Sequence, residues 1–465
     1  MRSRTLPLVL VLVCVAVSPS AVVFTQTQSP PAAAWLAPLR EDAARLMKAA
    51  VADDFAWQRV AELSDTHGGR LSGSDNLQRA IDWAVAAMKA DGLENVHTEP
   101  VMVPRWIRGH ESAQIVDPPR TDMQILGLGG TVATPPGGIE AEVLPVTSFD
   151  DLREKQVQAR GRIVLFDVPY TTYYETVTYR TAGARTAAQY GAVAALVRSV
   201  GPIGLQTLHT GSVTYTAGQA AIPAAAITVE DANRIVRLVS RGRPVRIRLV
   251  TSGRFEGDVE SANVVGEIRG REHPDEIVLI GGHLDSWDVG PGASDDAVGC
   301  VVTWEAARLM KKLGIRPRRT VRVVLFTNEE NGVRGATAYA QRYLPAATNH
   351  VFALESDSGV FAPAGLGFTG VAAARAMMQQ IATLLAPLGL GDIAPGGGGA
   401  DIGPIAAAGN VPTMAYMGDA ARLFMIHHTA ADTIDRIAPE EVRKAAAAIA
   451  VITYAVAEMP DRLPR

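Results

Sequence analysis

The chain has 465 residues, of which 48% are apolar, 20% charged and 6% aromatic. That length admits two or three domains with cores of their own and excludes a small stapled scaffold. With 44 basic against 48 acidic residues and a formal charge of −4, no basic excess is present to hold a phosphate backbone, which excludes nucleic acid as a main partner.

Taken in chain order, Arg2 and Arg4 precede the apolar run Leu6–Val17, and the small residues Ser18–Ala21 follow. This order predicts a secretory signal over residues 1–25. The run falls short of the ~20 residues that a membrane span needs, and no later segment is longer and as apolar, so the mature chain is expected in the periplasm or the medium without a membrane anchor. Of the two cysteines, Cys14 and Cys300, cleavage leaves only Cys300, in an apolar helical pattern that reads as core. One cysteine makes neither a disulfide framework nor a cysteine zinc site.

Residues 26–138 form the first part of the main domain. Ala43, Leu46, Met47 and Ala50 recur at helical spacing, as do Ile81, Ala84, Val85 and Met88, with the glycine-rich loop Thr66–Ser74 between them. Strands are predicted over 99–116, and Thr134-Pro-Pro-Gly-Gly138 marks a boundary. Residues 139–255 then alternate strand and helix: Arg162–Phe166, a helix ending near Ala192, Ala194–Arg198, Ile222–Thr228, and a helix containing Val229–Val239. Few His, Asp or Glu residues cluster there, so this stretch is expected to be an inserted, non-catalytic domain.

Residues 256–465 carry strand-length apolar runs at Asn263–Ile268, Glu276–Ile280, Val321–Phe326 and Val351–Leu354. Helical segments lie at Ala297–Leu313, Gly335–Tyr343, Ala372–Leu385 and Glu440–Glu458. Near-continuous apolar strands alternating with helices predict an α/β fold, a mostly parallel mixed sheet flanked by helices on both faces. In such sheets ligands bind beyond the carboxyl ends of the strands.

Chemistry is concentrated at those ends. Glu276–Ile280 leads into Gly281-Gly-His-Leu-Asp-Ser286, Val321–Phe326 into Thr327-Asn-Glu-Glu330, and Val351–Leu354 into Glu355-Ser-Asp-Ser-Gly359. Gly292-Ala-Ser-Asp-Asp296 precedes a helix, and Met425-Ile-His-His-Thr-Ala-Ala-Asp-Thr433 lies near the C-terminus. Singly, each has a bland explanation: the first aspartate pair is a good helix cap, and a lone Asn-Glu-Glu is a solvated turn. Together they point to a pair of divalent metals held by imidazole and carboxylate, with a position left for water. Of adjacent Glu329 and Glu330, one can ligate while the other moves a proton. Asp285 stands where it could orient His283.

The order His-x-Asp, Gly-Ala-x-Asp-Asp, Asn-Glu-Glu, Glu-Ser-Asp and His-Thr-x-x-Asp-Thr resembles the di-zinc exopeptidases of the M28 family, most of all its carboxypeptidase Q branch. The likeness includes Gly69–Ser74 and Glu99–Trp106, and the middle segment resembles an inserted protease-associated domain. The resemblance implies two zinc ions per chain, one held by His283 and Asp357 and the other by Glu330 and His428, with Asp295 bridging. It implies Glu329 as general acid/base, Asp285 as the aspartate orienting the histidine, and Asp401 near the substrate pocket. The implied activity is hydrolysis of dipeptides or short peptides by a zinc-bridged hydroxide, in an exported exopeptidase that forms a homodimer. Two alternatives stand beside it: a glutaminyl-cyclase-like acyltransferase with one zinc, and a receptor-like relative without chemistry.

Overall fold

A computed structural model describes residues 34–117 and 119–465; the predicted signal segment lies outside them. Two sheets of eight strands organise the chain. The strands of the first are β1 (Glu94–Ile107), β2 (Arg254–Ile268), β3 (His273–His283), β4 (Arg319–Phe326), β5 (His350–Glu355), β6 (Gly365–Thr369), β7 (Ile393–Pro395) and β8 (Thr413–Met417). They lie side by side in the order β1-β2-β4-β3-β5-β8-β6-β7. The central four, β4, β3, β5 and β8, are parallel, whereas β1 and β2 run antiparallel to their neighbours, and β6 runs antiparallel to β8 but parallel to β7.

The apolar runs are near-continuous because both faces are covered. In β3, Val278 and Ile280 enter one core while Ile277 and Leu279 enter the other; in β4, Val321, Val323 and Leu325 are opposed to Val324 and Phe326. The first face is covered by the helices Arg40–Ala50, Phe55–His67, Asp75–Ala90, Val298–Lys312 and Pro439–Glu458, and the second by Arg334–Tyr343 and Gly403–Gly409. Cys300 is buried in the first core, as its setting in the sequence predicts. Among the described residues no helix is long and apolar enough to cross a membrane.

The second sheet is an insertion between β1 and β2. Its parallel centre, Ile139–Val146, Ile163–Phe166, Ala194–Arg198 and Ala224–Ile227, packs the helices Tyr173–Gln189 and Val229–Ser240 against opposite faces. Thr172 and Thr228 cap those helices by accepting from the amides of Glu175 and Asp231. The sheet also takes in Glu111–Ile115, Thr121–Met123 and Ile125–Gly127, residues that the sequence pattern groups with the first part of the main domain. The Pro/Gly run at 134–138 is a turn within this unit, closed by Gly138 N–H on the Pro135 carbonyl.

Register places the inserted unit over the site. β2 pairs with β4 from Ile268↔Val321 to Val264↔Leu325, so its residues before 264 run past the carboxyl end of β4. They continue paired with β1 as a two-stranded ribbon as far as Ile107↔Arg254. The second sheet therefore starts above the edge at which the parallel strands end.

One packing detail sets a pH dependence of stability. His350 opens β5 at 1% exposure, with its Nε2 paired to the Tyr339 hydroxyl at 2.8 Å. Burial, followed by the charge of Arg322, pulls His350 down to about 4. An unfolded histidine titrates near 6.5, so between these values the unfolded chain binds more protons. The contribution is complete above the unfolded value and is lost as pH falls toward 4, amounting to about 3 kcal/mol in full. Denaturant unfolding between pH 7 and 4 is expected to show this loss, and His350→Gln to flatten it; an equally steep fall in the variant contradicts the assignment.

Candidate metal centre

Three parallel strand ends deliver side chains to one place. His283 is the last residue of β3, Glu330 follows the turn after β4, and Asp357 follows β5. Between β3 and the helix Val298–Lys312 the segment Ala293–Ala297 carries Asp295 with non-helical dihedrals and a cis peptide to Asp296. The last contribution is the His427–His428 pair, just after the helix Ala420–Ile426.

Asp295 stands between two clusters. Its Oδ1 lies 3.3 Å from His283 Nε2, which is also 3.4 Å from Asp357 Oδ1. Its Oδ2 lies 3.2 Å from His428 Nε2, which is also 3.1 Å from Glu330 Oε2. One carboxylate thus spans two imidazole–carboxylate sets, bringing together five of the residues singled out in the sequence.

His427 also approaches Asp295 Oδ2, at 3.2 Å from its Nε2, and stacks on His428 with ring centroids 3.6 Å apart. No contact to Glu330 accompanies it, so His428 is the better donor. Asp296 adjoins the first set, but both its oxygens are occupied: Oδ2 accepts from the His283 amide and Oδ1 from that of Gly299. The adjacent aspartates divide the two roles open to the sequence, Asp296 tying strand to helix start and Asp295 facing the site.

Main-chain hydrogen bonds position these groups. Asp432 accepts from the amides of Ser294 and Asp295 at 2.7 and 3.1 Å. Asp285 accepts from Glu329 N–H at 3.1 Å and Glu330 N–H at 3.4 Å, and from the Ser72 hydroxyl at 3.0 Å. The Asp285 carboxylate is 3.9 Å from His283 Nδ1, which instead pairs at 2.9 Å with the Asp285 carbonyl. The side chain expected to orient the imidazole therefore holds the two-glutamate turn, while its main chain orients the ring. That turn begins with Asn328 at φ 69°, a left-handed conformation that asparagine tolerates, and Asn328 Oδ1 accepts from Arg334 N–H. Arg70, fully buried, donates to the carbonyls of Leu284, Pro291 and Gly292 and so pins both segments flanking Asp285. Arg70 and Ser72 lie in the glycine-rich loop and Asp432 just after the histidine pair, but nothing in residue type or spacing marks them as supports.

The electrostatics call for cations. Burial opposes the charge of His283, but contacts with Asp295 and Asp357 outweigh it and hold the imidazole well above its ordinary value. His428 is raised likewise against burial, chiefly by Glu330. Burial and then the charge of Asp295 push Glu330 up to about 7, against the pull of His428. Asp295 Oδ2 and Glu330 Oε1 are buried without a properly aligned hydrogen-bond donor. Carboxylate oxygens converging on imidazoles at 3.1–3.4 Å, with acceptors left over, are a donor set that divalent ions satisfy and protons satisfy poorly.

Beside the centre is a cavity of about 620 Å³, lined on one wall by Glu329, Glu330 and Asp357, on a second by Gly398–Ala400 and Met417, and on a third by Tyr173, Arg180 and Ser212 of the inserted unit. Among the described residues the Glu329 side chain accepts no protein hydrogen bond. Burial raises its carboxyl well above the ordinary value, with the charges of Asp357 and Glu330 adding and His283 opposing. Asp401 adjoins the cavity without lining it: fully buried, it gives its amide to Glu355 Oε2 at 3.0 Å, while Gly398–Ala400 before it form the wall.

Imidazoles and carboxylates gathered at the carboxyl edge of such a sheet, next to an open cavity, are the architecture of a metallopeptidase. The chain belongs to peptidase family M28, whose profile matches residues 263–453. It is 46% identical over 414 residues to human (Homo sapiens) carboxypeptidase Q, covering 89% of this chain and 88% of the relative. The crystal structure of a peptidase M28 precursor from Shewanella amazonensis superposes with a TM-score of 0.88 at 33% identity, over 92% of this chain and 98% of the other. A zinc aminopeptidase from Bacillus subtilis shares the fold, with a TM-score of 0.67 at 19% identity, over 88% and 96% of the two chains.

Proposed function

We propose that the protein is an exported di-zinc exopeptidase hydrolysing dipeptides and short peptides. The observation that carries this is the placement of Asp295, one oxygen toward His283 and Asp357 and the other toward His428 and Glu330. Those five side chains are assigned as ligands, Asp295 as the bridge. Two zinc ions held there would polarise the scissile carbonyl and acidify the attacking water.

The chain's own groups do the rest. Glu329 takes the proton from the water and returns it to the departing nitrogen; a raised pKa and a carboxylate free of protein partners suit both halves of that transfer. Asp285 holds Glu329 and Glu330 at fixed spacing through their amides. The inserted unit, read as protease-associated by resemblance, lines part of the cavity with Tyr173, Arg180 and Ser212, and a cavity walled by two units favours substrates of a few residues over a folded chain. An intact ligand set argues against a receptor-like relative, and the two clusters around Asp295 argue against a single-zinc acyltransferase.

The test is hydrolysis of a dipeptide panel by the mature chain before and after metal removal. Turnover is expected to vanish with chelator and return with zinc. Turnover that survives complete chelation overturns the proposal.

A further inference from the structure

The inserted unit meets the peptidase domain at the metal centre itself. Thr210 N–H donates to the His428 carbonyl at 3.0 Å, and His428 Nδ1 lies 3.3 Å from the Thr210 carbonyl. His209 Nδ1 pairs with the His427 carbonyl at 2.8 Å, and the Ser212 hydroxyl donates to the Glu330 carbonyl at 2.7 Å. One segment, 209–212, thus grips both loops that carry the second cluster. No residue of that segment touches His283 or Asp357 through a hydrogen bond.

Arg180 backs this grip. At 4% exposure, its Nη1 donates to the Thr210 carbonyl at 2.9 Å and its Nη2 to the Tyr173 hydroxyl at 2.9 Å. The Tyr173 ring in turn stacks on Phe424, with centroids 4.6 Å apart and planes at 10°. Gly211 sits at φ +134°, and a Cβ there would collide with the Arg180 guanidinium, so segment and arginine fit only because that side chain is missing.

An imidazole that ligates through Nε2 carries its proton on Nδ1 and needs an acceptor there to set its tautomer and plane. For His428 the acceptor in reach of Nδ1 is the Thr210 carbonyl, at 3.3 Å; Arg180 Nη1, a donor only, lies at the same distance from Nδ1 and donates to that carbonyl at 2.9 Å. His428 is also held at φ 61°, a left-handed conformation uncommon outside glycine, and the paired contacts with Thr210 fall on this residue.

We propose that the inserted unit completes one half of the metal pair: Arg180, Thr210 and Ser212 are positioning residues for His428 and Glu330. The cation at that half depends on the inserted unit, and the cation at His283 and Asp357 does not. This inference rests on the ligand assignment proposed above and adds an asymmetry that the assignment alone does not contain.

The experiment titrates zinc against a competing chelator in the full mature chain, as wild type, Arg180→Ala, Arg180→Lys and Ser212→Ala, with cobalt(II)-loaded samples read by visible absorption. Arg180→Ala is expected to weaken one zinc by about 10–100-fold, the range for loss of such outer partners, to leave the other unmoved, and to shift the cobalt bands. Arg180→Lys should recover part of the affinity, and Ser212→Ala, a small change that spares the buried cation, should weaken the same ion. Two ions bound in the wild type with both affinities unmoved in Arg180→Ala and Ser212→Ala overturn the inference alone, as does equal weakening of both ions. Fewer than two ions in the wild type overturn the ligand assignment, and the inference with it.

Discussion

Asp295→Ala is expected to reduce peptide hydrolysis by on the order of 10³-fold or more, read as kcat/KM. The size follows from what the side chain does. Metal-held charge stabilisation is worth several kcal/mol, each 1.36 kcal/mol being tenfold in rate, and Asp295 is the group common to both clusters. Without it, His283 and Asp357 are left as one pair and His428 and Glu330 as another, with nothing to set the distance between the ions. The peptide amide of residue 295 still reaches Asp432 in the variant, so the loss is expected in a folded protein. A variant with near-wild-type turnover would remove the bridge from the mechanism.

Glu329→Gln is expected to separate metal binding from turnover. The substituted side chain keeps its volume, and its amide still donates to Asp285, so Glu330 stays in place and metal content should match the wild type. Proton transfer is lost, which is worth about 10²–10⁴-fold in kcat, while KM should change little. A large drop in metal content would instead make Glu329 a ligand, and unchanged kcat would take the base away from it.

The sheet was legible because its central strands are buried on both faces. Asn263–Ile268, Glu276–Ile280, Val321–Phe326 and Val351–Leu354 each fall within an observed strand. The long helices were legible from their period, although Ala372–Leu385 passes into a 3₁₀ turn after Ala382, just ahead of Pro387. Three strands of the first sheet have no such signal: Gly365–Thr369 is interrupted by glycine, Ile393–Pro395 is three residues long, and Thr413–Met417 lies in an otherwise irregular stretch. Short elements carry too few positions for a period to show.

The groups at the site were legible by residue type and by their place at strand ends, and the structure brings His283, Asp295, Glu330, Asp357 and His428 together with Glu329 beside them. What holds them was not legible, because it acts through the main chain. The carbonyls of Asp285 and Thr210 orient the imidazoles, and any residue supplies a carbonyl. The inserted unit carries no clustered His, Asp and Glu; its contacts with the site loops come from backbone and from single, separated side chains, Arg180, His209 and Ser212. The Pro/Gly run at 134–138 suggested an edge, but the chain had already entered the second sheet at Glu111.

The most direct measurement is the zinc content per chain of the purified mature protein and of Asp295→Ala, side by side under one competing chelator concentration. Two ions in the wild type and one or none in the variant are expected. Equal content in the two proteins, or a wild type that holds no zinc, would contradict the shared-carboxylate centre.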